Sequence, residues 1–88
     1  GPFPHDIHFK NCKITKVQTP DPKDSFVYPD KLMVIGNYTT SGAIAQFIST
    51  GMVFEDCEID PNLINFYRSC EVKFIRDGEV YYQYPSQS

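Results

Sequence analysis

Residues 70–84 read CEVKFIRDGEVYYQY, and this stretch decides the fold class. Apolar residues alternate with polar ones on both sides of Asp77-Gly78, which is the period-two pattern of β-strands. An Asp-Gly pair accepts the positive φ angles of a two-residue type I′ turn. The stretch therefore predicts an antiparallel hairpin that turns at Asp77 and Gly78.

The chain upstream of this hairpin also has a strand-like pattern. Residues 32–35 and 43–48 are apolar runs of the kind found in central strands that are covered on both faces. A change of parity near Asn11 suggests a β-bulge, and the prolines within residues 18–29 predict a loop. We expect a mainly β fold, a single twisted antiparallel sheet of about six strands. An α+β fold stays open, because Asp60-Pro61 could instead begin a short helix.

One internal similarity links two distant segments. Residues 7–14, IHFKNCKI, read like residues 52–59, MVFEDCEI. A solenoid would show such a similarity at a fixed period. Two isolated copies do not establish a period, so we attribute the similarity to shared strand-and-turn composition.

The length and composition fit one small domain. The chain has 88 residues and a formal net charge of −3. Gly1-Pro2 is typical of an expression-tag remnant, which leaves residues 3–88 as the domain. We expect most of the core to come from the apolar strand faces: Phe9, Val34, Ala45, Phe47, Phe54, Phe66, Val72 and Phe74.

Several classes of function are disfavoured by charge and hydropathy. Basic residues are scattered and outnumbered by acidic ones, which argues against nucleic-acid binding. No apolar run approaches the length of a membrane span. Three cysteines cannot all pair within one chain, so we expect reduced thiols and a cytoplasmic location.

Catalytic motifs are equally scarce. The chain has two histidines, no nucleophile elbow and no glycine-rich phosphate loop. Glu55, Asp56 and Glu58 cluster and could in principle hold a metal, but an exposed acidic edge at a strand end is the commoner meaning of such a cluster. We expect no cofactor and no independent enzyme.

From residue 34 onward the chain resembles a polo box, the non-catalytic domain of polo-like kinases. The resemblance rests on an ordered series of short motifs: Tyr38-Thr39, Gly42, residues 46–51 (QFISTG), residues 52–56 (MVFED), residues 74–78 (FIRDG) and Tyr82. It implies a protein-interaction module from a serine/threonine kinase. Cys57 and Ile59 stand where phosphopeptide-binding members carry a cation pair, so the resemblance points to the divergent centriole-duplication branch and to binding without phosphate.

The expected partners are proteins. The resemblance implies a centriole scaffold protein and a centriole or centrosome location. Apolar strands without a covering helix also favour a homodimer, with candidate interface residues Ile44, Tyr81, Tyr82 and Tyr84. Residues 3–31 could instead cover the sheet and leave a monomer. The alternative function is an unrelated small intracellular β adaptor, a sandwich or a barrel; an enzyme fragment completed by another chain is a third.

Overall fold

The computed structural model describes residues 3–15, 31–36, 45–67 and 70–86. These residues are mainly β, as the sequence predicts. The strands are β1 (Ile7–Lys10), β2 (Met33–Gly36), β3 (Ala45–Phe47), β4 (Gly51–Glu55), β5 (Ile64–Tyr67), β6 (Glu71–Arg76) and β7 (Glu79–Tyr84), with a 3₁₀ turn at Pro61–Leu63. The predicted loop at residues 18–29 lies outside the described residues.

The strands form two sheets whose pairs are nearly all parallel. The first sheet has the order β1-β4-β6-β7 and the second β3-β2-β5, and only β6 and β7 are antiparallel. The expectation of a single antiparallel sheet is therefore wrong. The four residues of β2 are all buried, the burial pattern typical of a parallel strand covered on both faces. The central strand predicted from this apolar run therefore exists, but it pairs with its neighbours in parallel.

The path from β4 to β6 makes one coil of a β-solenoid, a stack of parallel strand layers. The chain leaves the first sheet after Glu55, enters the second sheet at Ile64 and returns beside β4, where Gly51 aligns with Glu71. Strand β1 stacks on the other side of β4, with Ile7 aligned with Met52. The similarity between residues 7–14 and 52–59 is therefore structural, and attributing it to composition was wrong.

The stacked segments also share a corner. Asn11 and Asp56 follow β1 and β4 with φ angles of 56° and 51°. Asn and Asp tolerate this left-handed conformation better than most residues, and it turns the chain out of the first sheet. The parity change near Asn11 thus marks the end of a strand, and the predicted bulge is wrong. A bulge occurs instead between Phe74 and Ile75 in the terminal hairpin.

Two local predictions are confirmed. The hairpin turns at Asp77 and Gly78, with φ angles of 52° and 79°. Asp60 caps the 3₁₀ turn: its side chain accepts a hydrogen bond from the Asn62 backbone N–H at 3.0 Å, and Pro61 occupies the first turn. The turn leads directly into β5, so the short helix and the strand at this position both exist.

The core lies between the two sheets. Val34, Phe54, Val72 and Phe74 are buried as predicted. Phe9, Phe47 and Phe66 are partly buried against the core, and the Ala45 side chain lies outside the described part. Met33 and Ile35 are buried, as expected for a strand covered on both faces. The predicted core did not include several other buried residues, namely Met52, Val53, Cys57, Ile59, Ile64 and Cys70. No helix among the described residues is long and apolar enough to cross a membrane.

Candidate functional site

A ladder of aromatic rings runs through the core along the stacking direction. Phe9, Phe54 and Phe74 occupy aligned positions in β1, β4 and β6. Their ring centroids are 5.3 Å and 4.8 Å apart, with nearly parallel planes. Phe54 and Phe74 are buried, whereas Phe9 remains partly exposed. The ring at the β1 end of the ladder is therefore less buried than the two rings on β4 and β6.

The terminal hairpin closes the opposite end, which we call the closed end (β7 with Tyr82 and Tyr84). The Tyr84 ring stacks on Phe66 with centroids 4.7 Å apart. The Tyr82 ring meets Phe74 edge-on at 5.6 Å. Two of the predicted interface tyrosines thus direct their rings to the core and are half-buried.

The other predicted interface residues lie elsewhere. Tyr81 is exposed, and the Arg76 guanidinium sits 4.2 Å from its ring centroid, within cation–π range. Val80 beside it is 45% exposed. Ile44 falls outside the described residues. Val80 and Tyr81 are thus the exposed apolar residues of β7, and Tyr82 and Tyr84 are partly exposed.

The three predicted acidic residues do not form one free anionic edge. A carboxylate oxygen of Glu55 lies 2.9 Å from His8 Nε2, and the other lies 3.9 Å from Lys10 Nζ. Asp56 accepts a hydrogen bond from the Asp77 backbone N–H at 3.0 Å.

Glu58 faces Lys13 at 3.9 Å. The cations that match Glu55 and Glu58 come from the neighbouring coil, so these ion pairs join the stack. Across the described ranges, no group of His, Cys, Asp and Glu side chains could hold a metal ion.

Strands β1 and β3 form the edges of the two sheets at one end of the stack, which we call the open end (β1 and β3 with Ile7, Phe9, Phe47 and Ile48). The Phe9 and Phe47 rings meet edge-on at 5.9 Å and join the two strands. Both side chains face the core and are only half-buried, and Ile48 is 65% exposed. Sequence reasoning missed this site, although the similarity between residues 7–14 and 52–59 was the signal for it.

The segment before β1 crosses the outer face of the first sheet. Pro4 and His5 lie so close to Gly51 that any side chain at position 51 would clash with their backbone. The Phe3 ring lies 4.3 Å from the Lys73 ammonium group on β6. This segment partly covers the outer face and leaves the β1 edge as the boundary of the first sheet.

The three cysteines are free thiols. Cys12 and Cys57 occupy equivalent corner positions, and each Sγ lies 3.4 Å from a backbone carbonyl two residues earlier. Cys70 is buried at the entry to β6, and burial raises the pKa of its thiol. The cysteines therefore act as small core residues of the coils.

No family model, curated protein or solved structure matches the chain. In the described residues, two facing and mainly parallel sheets enclose a stacked aromatic ladder. The path from β4 to β6 forms one solenoid-like coil between an end closed by β7 and an open end at β1 and β3.

Proposed function

We propose that this chain is a non-catalytic protein-binding module that associates, as a homodimer, through its open end. One observation carries the proposal. Met52 and Phe54 are 0% and 1% exposed in the inner coil, whereas Ile7 and Phe9, their equivalents in the outer coil, are only partly buried. The open end therefore presents core residues without the next layer.

The physical chemistry of solenoids supports this function. Each coil contacts only its neighbours, so a terminal coil needs a cap to shield its apolar face. The hairpin supplies the cap at the closed end. At the open end the described residues supply no such strand, and core residues that stay partly exposed, such as Ile7, Phe9 and Phe47, are candidates for an interaction site. Among the described strands, β1 is the terminal strand of the first sheet on this side, and the edge of a terminal strand is a surface that a partner strand can bind.

Of the function expected from the sequence, the proposal retains protein binding and self-association. A polo box requires the strands from Leu32 to Tyr84 to pair as an antiparallel meander. Strands β4 and β6 are parallel here, and β5 lies in the other sheet. Centriole targeting and a kinase parent were expected from the polo-box resemblance, and the proposal is limited to protein binding and self-association.

Sedimentation equilibrium with two matched variants tests the function. Ile48→Glu places a charge directly after β3, and Val80→Glu places one on β7, at residues that are 65% and 45% exposed. We expect the wild-type chain and Val80→Glu to dimerise and Ile48→Glu to remain monomeric, because a charge at a buried interface is costly.

The other outcomes each contradict the proposal in a different way. A wild-type chain that stays monomeric at roughly hundred-micromolar concentration would refute self-association, because specific dimers with standard-size interfaces bind more tightly. If Val80→Glu alone abolished the dimer, the interface would lie at the hairpin tyrosines instead of the open end.

A further inference from the structure

We propose that Cys12 and Cys57 form a redox-sensitive pair, whose oxidation to a disulfide joins the coil of β1 to the coil of β4. The three thiols are free in the structure, and the disulfide is a second, oxidised state of the same two coils. The link forms within one chain, so it depends on no partner at the open end. The alignment of the two cysteines, the surroundings of their sulfur atoms and the position of Cys70 support it.

The backbone holds the two cysteines side by side in neighbouring coils. Lys10 is aligned with Glu55 before them, and Lys13 is bridged to Glu58 after them. The Glu58 N–H donates to the Cys12 carbonyl at 2.8 Å, so the parallel alignment continues through the corner. Neighbouring strands lie about 4.8 Å apart. This spacing is within the Cα separation of about 4.4–6.8 Å that a disulfide can span.

The side chains of the two cysteines leave equivalent corners and pack against the same core. Asn11 and Asp56 precede them in the same left-handed conformation, and both cysteines contact the core cluster. Cys57 Sγ lies 3.4 Å from the Phe9 carbonyl and thus already reaches the coil of β1. Cys12 Sγ contacts a carbonyl of its own strand. Because a thiol is a weak hydrogen-bond donor, rotation of the Cys12 side chain can replace this contact by a bond to sulfur.

Exposure gives the two thiols different parts in the reaction. Cys12 is partly exposed, whereas Cys57 is 5% exposed. A small disulfide oxidant such as glutathione disulfide therefore reacts first with the Cys12 thiolate, which forms a mixed disulfide and releases one glutathione thiolate. The Cys57 thiol then loses its proton and attacks the Cys12 sulfur, and the second glutathione leaves as a thiolate. Across both steps two cysteine thiols are oxidised, and glutathione disulfide is reduced to two glutathione molecules.

The third cysteine is placed too far away to compete. Cys70 directly precedes β6, whose first residue aligns with Gly51 at the start of β4. Cys57 instead follows the end of β4. The five residues of β4 therefore lie between the two positions, a length of about 16 Å at the usual rise of a strand. A disulfide cannot span this separation, so the fold selects one pair among three thiols.

Tryptic mapping identifies the link directly. Cleavage after Lys and Arg places the three cysteines in separate peptides, residues 11–13, 32–68 and 69–73. The folded chain is incubated with glutathione disulfide, the remaining thiols are alkylated, and the digest is analysed by mass spectrometry. We expect peptides 11–13 and 32–68 to be joined, and dithiothreitol to separate them. Cys12→Ser should abolish the link, whereas the matched control Cys70→Ala should retain it.

The same oxidation in urea shows which pairing the chain favours without its fold. Closing a loop costs more entropy as the loop lengthens. Cys57 and Cys70 are 13 residues apart in the sequence, whereas Cys12 and Cys57 are 45 apart. The unfolded chain should therefore form the shorter link about sixfold more often, from the logarithmic dependence on loop length. The folded chain should reverse this preference.

Amide exchange measures what the link does to the coil of β1. Among the described strands, β1 is paired on one side, with β4, and such an edge opens locally more easily than an inner strand. Oxidation should slow exchange of the β1 amides at least tenfold, and Cys12→Ser should remove this effect. A folded chain that yields the link between positions 57 and 70, only glutathione adducts, or only links between two chains overturns the pair. Unchanged β1 exchange in the linked chain overturns the joining of the two coils.

Discussion

The two ends of the solenoid are built from similar strands but are finished differently. At the closed end, the chain reverses at Asp77-Gly78 and lays β7 over β6, so Tyr82 and Tyr84 shield Phe74 and Phe66. At the open end, β1 and β3 stop with their core-facing residues half-covered. The difference teaches that an antiparallel return covers the last parallel strand, since Phe74 on β6 is fully buried whereas Phe9 on β1 is not.

The largest expected effect on the free energy of unfolding concerns the aromatic ladder, which differs between the two ends. Phe74→Ala removes a fully buried ring that contacts Phe54, Phe66 and Tyr82, and should lower the free energy of unfolding by about 3–5 kcal/mol. Phe9→Ala should cost about half as much in the monomer, because that ring is already partly exposed. Urea denaturation at low protein concentration measures both variants. Equal losses would contradict the difference between the ends.

A smaller effect is expected at the turn that makes the closed end. Gly78 has a φ angle of 79°, and a Cβ added to it would have no neighbouring atom within 4 Å. Gly78→Val should therefore destabilise the fold by about 1 kcal/mol or more through backbone strain alone. Gly78→Asn, which tolerates positive φ, is the matched control and should cost less. Thermal unfolding that is equally affected in both variants would argue against a strained turn.

The smallest effect concerns pH. Burial raises the pKa of the Cys70 thiol above its usual range. A raised pKa in the folded state means that the native state holds its proton more tightly than the unfolded chain does. This stability is fully present below the unfolded pKa, about 8.5, and is lost as the pH rises through the folded value. Stability should thus fall above about pH 8.5, and less so in Cys70→Ala; identical pH profiles would contradict the assignment.

The parts of the fold that could be predicted are those with local causes. The Asp77-Gly78 turn, the cap at Asp60 and the buried run beginning at Leu32 all follow from short-range rules of conformation and patterning. The pairing of strands could not be predicted in the same way, because β1 and β4 are aligned across 45 residues of separation. The hairpin, the one clear pairing signal, was antiparallel, and extending it to the whole chain produced the wrong sheet.

The candidate site was missed for the same reason. Tyr81, Tyr82 and Tyr84 suggested an interface because aromatic residues are enriched there. Aromatic rings also suit a cap, and only the position of β5 shows that Tyr84 stacks on Phe66. The acidic cluster likewise looked unpaired until His8, Lys10 and Lys13 were placed beside it by stacking. These residues are far apart in sequence, and the similarity between residues 7–14 and 52–59 was the signal that aligned them.

Amide hydrogen exchange at low and high protein concentration tests the central claim most directly. The amides of β4 and β6, strands that are paired on both sides, should be protected at both concentrations and serve as internal controls. The account predicts that amides of β1 or β3 gain protection at the concentration that favours the dimer, while the amides of β7 do not change. Protection that increases in β7 and not in β1 or β3 would contradict the claim that the open end is the binding end.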